Sequence, residues 1–240
     1  MYAFDLNAQV KIHAHNDYER SIPFYDAMQA RVYSIEADIF PVDSLLCVAH
    51  HIEKVNRSIT LDRLYLQPLI KYYLSATSSY SPVLMIDIKQ DHKAALNLLQ
   101  NKLAKMEQEL KQNGITSMPL FVISGDRPEP SSFNLFPYYI QFDGRPDEVY
   151  SDEALKKIAF ISNAFSKYSK WTGNGRLASK EKANIKKLAH QVHDQGKLLR
   201  LWAIPDTPKA WKKLQKLGVD IINTDYPLES SRYFNKKRNE

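Results

Sequence analysis

The sequence predicts a single α/β domain over residues 1–240, a (β/α)8 TIM barrel, on three observations. Eight short runs rich in β-branched and aromatic residues alternate with longer stretches of helical spacing, which is the pattern of βα units. The chain length is close to the roughly 250 residues usual for such a barrel. The first strand is followed by His15-Asn16-Asp17-Tyr18, with no glycine; a doubly wound open sheet, the main structural alternative, would typically carry a glycine-rich turn there.

In chain order the strands are expected at Val10 to His15, Tyr33 to Phe40, Pro82 to Lys89, Pro119 to Ser124, Tyr138 to Asp143, Ala159 to Phe165, Leu198 to Ile204 and Asp220 to Thr224. Leu45 to His51 reads as an extended excursion after the second strand, giving an irregular connection rather than a ninth barrel strand. Leu96, Leu99, Leu103, Met106 and Leu110 recur at three and four residues, and Gly114 supplies the stop, so this stretch is a helix. Ile185, Leu188, Ala189 and Val192 repeat the pattern before Gly196. Thr207-Pro208 has the form of an N-cap with proline at the first helical position, and Ser151 caps a shorter helix in the same way.

An apolar fraction of 44% with only 7 glycines and no low-complexity tract implies a packed core rather than disorder or a repeat array. Cys47 is the only cysteine, which excludes an internal disulfide and any cysteine-based metal site; it reads as a small buried apolar residue. The net charge is +6, with Lys180, Lys182, Lys186 and Lys187 crowding one helix and Lys236, Lys237 and Arg238 near the end. Such runs are usually solvated faces; the functional alternative is attraction to anionic headgroups or phosphates, as in a peripheral membrane contact. No nucleic-acid partner is expected. No apolar run approaches the roughly 20 residues needed to cross a bilayer, so a soluble protein is expected. Met1 to Ala8 is compatible with the start of an exported mature form, periplasmic or secreted, from which a signal segment has been removed.

Barrel active sites gather at the C-terminal ends of the strands, and the polar residues there are unusual. The first strand ends in His13-Ala14-His15-Asn16-Asp17, the second carries Glu36 and Asp38, the excursion delivers His50 and His51, and the third ends in Asp87 and Lys89. Strand alternation puts Glu36 and Asp38 on one side, facing the barrel mouth. Three carboxylates converging from neighbouring strands repel by several kcal/mol unless a cation compensates them. A divalent metal is the natural answer, and an all-oxygen set favours Mg²⁺ or Ca²⁺ over Zn²⁺. The bland alternative is that one carboxylate pairs with Lys89 while the others face solvent. His15 and His50 fall at strand ends beside this cluster, which favours a role for both; His92, His190 and His193 are assigned none.

These segments resemble the PLC-like phosphodiesterase superfamily, which includes glycerophosphodiester phosphodiesterases and phosphatidylinositol-specific phospholipase C. The resemblance rests on His15, Glu36-Ala37-Asp38 and His50 in that order, on Met85-Ile86-Asp87-Ile88-Lys89, and on the closing segments Leu201-Trp202-Ala203 and Leu217 to Pro227. The His-Ala-His-Asn-Asp-Tyr opening is similar to that of a poorly characterised branch. The resemblance implies a metal-dependent hydrolase for a glycerophosphodiester or phospholipid-headgroup-like diester, with Glu36, Asp38 and Asp87 on the metal and His15 and His50 catalytic. Asn16 stands where an arginine normally follows the first histidine and takes its place among the substrate contacts. The family's early metal-binding glutamate has no clear match; Asp17 and Glu19 lie nearest. The aspartate that commonly follows the second histidine is His51, so the choice of His50 over its neighbour rests on alignment.

The implied chemistry has one histidine accepting a proton from the attacking hydroxyl while the other protonates the leaving alkoxide. The attacking group is either water or the substrate's own neighbouring hydroxyl. Lys89 would neutralise a phosphate oxygen, and Trp202 would either wall the headgroup or simply pack the barrel. Two rivals stay open. His13-Ala14-His15 also fits the paired-histidine motif of amidohydrolase-type barrels, although strands four to six offer Ser124, Asp143 and Asn163 rather than the histidines such sites need. The other rival is a non-catalytic barrel that binds a phosphorylated or lipid partner.

Overall fold

The computed structural model describes residues 10–75 and 80–236; Met1 to Ala8, Lys237 and Arg238 lie outside them. Eight parallel strands close on themselves: β1 (Lys11–Ala14), β2 (Ser34–Val42), β4 (Val83–Ile88), β5 (Phe121–Gly125), β6 (Ile140–Gly144), β7 (Ile158–Ala164), β8 (Leu199–Trp202) and β9 (Ile221–Thr224). β1 pairs with β2 on one side and with β9 on the other, which completes the ring. Every expected strand is present. The excursion at Leu45 to His51 is more regular than expected: β3 (Leu45–Val48) runs antiparallel to the far end of β2, pairing Ile39 with Val48 and Val42 with Leu45. β2 is long enough, at nine residues, to leave the barrel and form this hairpin, and the backbone N–H of Ala49 then donates to the Asp38 carbonyl at 3.2 Å. That return places His50 beside the strand ends.

Among the described residues seven α-helices cover the barrel: α1 (Tyr25–Ala30), α2 (Gln67–Ser75), α3 (His92–Gln112), α4 (Asp152–Lys156), α5 (Ser179–His193), α6 (Pro208–Gln215) and α7 (Pro227–Lys236). After β5 a 3-10 turn, Pro130–Leu135, stands where a full helix would; Pro137, two residues beyond it, disfavours its continuation. α3 buries Ala95, Leu96, Leu99, Leu103, Met106 and Leu110 at helical spacing, and removing one such leucine side chain to alanine costs about 2–5 kcal/mol. The expected caps form: Ser151 accepts from the Ala154 N–H and Thr207 from the Ala210 N–H.

β2 is buried over seven consecutive residues because helices cover its outer face and the barrel interior covers the other. Inside the barrel, Val83, Met85, Val122, Phe160 and Ile221 form an apolar floor. Two positions beyond Met85, Val122 and Ile221 the inward residues become Asp87, Ser124 and Asn223, and β2 adds Glu36 and Asp38. The apolar-to-polar change along each strand thus aims the charged groups at the C-terminal mouth.

Candidate active site

The cluster begins with sheet register. β2 and β4 pair Glu36 with Met85 and Asp38 with Asp87, so the two aspartates lie side by side on adjacent strands. One oxygen from each of Glu36, Asp38 and Asp87 lies within 4.8 Å of the others. At an effective dielectric of about 20, two unit charges at that separation repel by about 3–4 kcal/mol. Lys89 offsets part of this: its Nζ lies 2.6 Å from Asp38 Oδ2 and 2.5 Å from Asp87 Oδ2. One lysine among three carboxylates leaves two charges uncompensated. Arg200 lies 3.6 Å from Glu36, but it is shared with Asp143 at 3.5 Å. Burial, chiefly, raises the Asp87 pKa, with Lys89 opposing and Glu36 and Asp38 adding to it. Burial also pulls Lys89 down, but its two aspartates outweigh it and the ammonium is favoured.

Two features suit this cluster to a divalent cation. Asp38 Oδ2 takes Lys89, the His50 ring at 2.8 Å and the Tyr18 hydroxyl at 2.7 Å, whereas Asp38 Oδ1 is buried with no hydrogen-bond partner. Gly125, next to Ile88 in the β4–β5 register, makes room for the Asp87 carboxylate: a Cβ at Gly125 would lie 2.4 Å from Asp87 Oδ1 and 2.3 Å from the Ile88 carbonyl oxygen. Oxygen donors alone fit hard cations such as Mg²⁺ or Ca²⁺.

The two histidines stand on either side, each tied to an aspartate through Nδ1. His15 Nδ1 lies 2.7 Å from Asp225 Oδ1, and His50 Nδ1 is the atom bonded to Asp38. A ring that donates from Nδ1 leaves Nε2 for chemistry. Burial works against protonation of His15, but the bond to Asp225 and the charges of Glu36 and Asp225 outweigh it, so its pKa is raised. His51 lies edge-on to His50, ring centroids 4.5 Å apart, and is exposed.

A family model described as the AIM6-like phosphodiesterase domain matches residues 5–79, which hold β1, β2 and both flanking histidines. The altered inheritance of mitochondria protein 6 homolog of Arthroderma benhamiae is 25% identical over 94% of this chain and 84% of that protein. The protein 6 of Lachancea thermotolerans is 23% identical over 92% of this chain, which spans 65% of that relative's length. Among solved structures, a glycerophosphodiester phosphodiesterase from Parabacteroides distasonis superposes with a TM-score of 0.59 at 17% identity, covering 95% of this chain and 98% of that one. Another from Agrobacterium tumefaciens gives 0.57 at 14% identity over 95% of this chain and 100% of that one.

Over residues 5–79 the chain resembles the AIM6-like phosphodiesterase domain, and its fold is that of the glycerophosphodiester phosphodiesterase barrels. In this barrel the eight expected site residues line or border one cleft of about 750 Å³. His15, Asn16, Glu36, His50, Asp87, Lys89 and Trp202 line it, and Asp38 lies fully buried beneath. Trp202 is 41% exposed. Asn16 adopts a left-handed conformation, φ 46°, and its side-chain oxygen accepts from Tyr18 at 3.1 Å. Asp17 turns away from the cleft: it is fully buried, accepting from the Phe24 N–H at 2.6 Å and the Tyr65 hydroxyl at 3.0 Å.

His13 lies below the cluster and is fully buried. Nδ1 is 2.7 Å from Ser34 Oγ, and Nε2 is 2.7 Å from both Glu36 Oε2 and Arg200 Nη1. Burial, then the Arg200 charge, hold its pKa well below the ordinary value, so the ring is neutral. Both nitrogens are engaged inside the protein, and Nε2 of the neutral ring serves one partner at a time, donating to Glu36 or accepting from Arg200.

Four polar residues of the site went unread in the sequence. Asp225, one residue beyond β9, neighbours His15 because closure brings β9 against β1; its position after a strand end was the available signal. Asp206 fixes that segment, accepting from the Asp225 N–H, the Thr224 hydroxyl and the Trp211 indole within 2.6–2.7 Å. Arg200, between Leu199 and Leu201 on β8, points inward by alternation and bonds Ser162, Asn223 and His13. Tyr18 joins Asp38 to the first connection.

Proposed function

We propose that this protein is a metal-dependent phosphodiesterase, cleaving a glycerophosphodiester or a phospholipid-headgroup-like diester, with His15 and His50 as its acid–base pair. The reading rests on one observation above the rest: three carboxylates within 4.8 Å lie between two imidazoles whose Nδ1 atoms are each held by an aspartate. A divalent cation held by Glu36, Asp38 and Asp87 would polarise the phosphoryl oxygens and stabilise the charge that develops on them. The raised pKa of His15 favours its protonated form, so His15 supplies the proton to the leaving alkoxide from Nε2 while Asp225 steadies the ring. His50 takes the proton from the attacking hydroxyl as it adds to phosphorus, its own ring oriented by Asp38. Lys89 faces a phosphate oxygen, Asn16 contributes a side-chain amide, and Trp202 walls the cleft on the leaving-group side.

Hydrolysis of glycerophosphocholine, lysophosphatidylcholine and bis(p-nitrophenyl) phosphate, with and without EDTA and with phosphorus NMR of the products, tests this. Turnover that EDTA abolishes and Mg²⁺ or Ca²⁺ restores is expected, as is a loss of about 10²–10⁴-fold in His15→Ala and in His50→Ala. Absence of turnover on every diester, or turnover that survives chelation, would overturn the reading. The product, cyclic phosphate or open monoester, reports whether a neighbouring hydroxyl or water attacks.

A further inference from the structure

A second cleft, of about 370 Å³, lies outside the catalytic one, between the connection that follows β7 and helix α6. Arg176, Lys209, Lys212, Lys213 and Lys216 line it around Trp171, and among the described residues no aspartate or glutamate does. The four lysines recur at three and four residues, so they form one stripe along α6, while the opposite side of the helix buries Ala210, Trp211 and Leu214. Seven residues of helix extend the stripe over about 10 Å, a line of charge longer than a single phosphate requires. The segment that closes the cleft is firmly built. The Trp171 indole donates to the Asn174 carbonyl at 2.6 Å, Lys209 Nζ reaches the Gly175 carbonyl at 3.2 Å, and Glu181 accepts from the Lys170 and Ala178 N–H groups.

This basic groove adjoins the catalytic mouth. A Cβ at Gly173 would come within 3.0 Å of Pro205, three residues beyond Trp202, so the two connections pack together. Around that mouth, among exposed charged groups, stand four exposed large apolar or aromatic side chains: Val149 is 93% exposed, and Ile52, Trp202 and Tyr226 are also exposed. Each is, or lies within two residues of, a group that lines the cleft or touches His15. A nucleic acid would reward the cations but gain little from an exposed valine and isoleucine. A bilayer surface rewards both, because cations meet anionic headgroups while aliphatic and aromatic groups enter the interfacial layer.

We infer that the groove between the β7 connection and α6 is the electrostatic half of a docking surface for anionic membranes, which presents the catalytic mouth to the headgroup layer. Docking stands apart from turnover, so failure of one does not entail failure of the other: His50→Ala is expected to dock as the wild type does. The test is co-sedimentation with phosphatidylcholine vesicles, with and without phosphatidylserine, alongside a fluorescently labelled DNA duplex. Wild type is expected to sediment with the serine-containing vesicles, weakly with the neutral ones, and less as salt is raised. The triple variant Arg176→Gln, Lys212→Gln, Lys216→Gln is expected to lose about a hundredfold in partitioning while keeping the wild-type circular dichroism melt. Val149→Ser, at a residue that does not line the cleft, is expected to weaken vesicle binding without changing turnover of a soluble diester. Equal binding to neutral vesicles, undiminished binding by the triple variant, no vesicle binding at all, or tighter binding to the duplex would each overturn the inference.

Discussion

Gly125→Ala is the smallest change that reaches the carboxylate cluster without replacing any of its three acids. Gly125 has φ +72°, and a non-glycine residue in the left-handed region costs about 1–2 kcal/mol. Its new Cβ would sit 2.3 Å from the Ile88 carbonyl oxygen and 2.4 Å from Asp87 Oδ1. The carbonyl is not free to swing aside, since it accepts the Asp126 N–H at 2.7 Å. The cheaper response is for Asp87 to move. Overpacking of this kind adds about 1–3 kcal/mol, so a total near 3 kcal/mol and a fall in Tm of about 6–12 °C are expected for a chain of this size. Displacement of a ligand by its supporting shell typically weakens metal binding by about 10- to 100-fold. Thermal melts and calorimetric Mg²⁺ titration of the variant measure both. A variant that melts within a degree or so of wild type and binds metal equally well would refute the reasoning.

Two further substitutions probe the flanking groups. Asp225→Asn removes the carboxylate that helps raise the His15 pKa, so the limb of the pH–rate profile governed by His15 is expected to move to lower pH. kcat should fall with little loss of stability, because the Asp225 side chain is 56% exposed. Asp126→Asn tests a structural pair: burial opposes ionisation of Asp126, but bonds from the His92 ring and backbone N–H hold its pKa below the ordinary value. A depressed carboxylate stabilises the fold above its unfolded pKa, so the gap in Tm is expected at neutral pH and should close as pH falls below about 4. With 39% of the Asp126 side chain exposed, screening keeps that gap to about 2–4 °C.

The barrel was legible because it is local: alternation, helical spacing and cap residues each mark one element, and β1, β2 and β4–β9 lie where those signals put them. The carboxylate cluster was legible for the same reason, since Glu36-x-Asp38 and Asp87 declare their side of the strand by period two. What stayed hidden depends on contacts between distant segments. Asp225 meets His15 across 210 residues only because the ring closes, and the Arg200 bond to His13 likewise crosses the barrel interior. The β3 hairpin was read only as an excursion because Leu45 to Val48 is short and becomes a strand through its partner, the overlong end of β2. Trp202 was ambiguous because aromatic residues at strand ends serve cores and clefts alike; it lines the cleft and is 41% exposed.

The central claim is that Glu36, Asp38 and Asp87 together bind one divalent ion. Isothermal titration of metal-stripped protein with Mg²⁺ and with Ca²⁺ measures it without reference to any substrate. A single site is expected in the wild type, lost in Asp38→Asn and in Asp87→Asn while both variants still fold. Absence of binding in the wild type, or binding that both variants retain unchanged, would contradict the account.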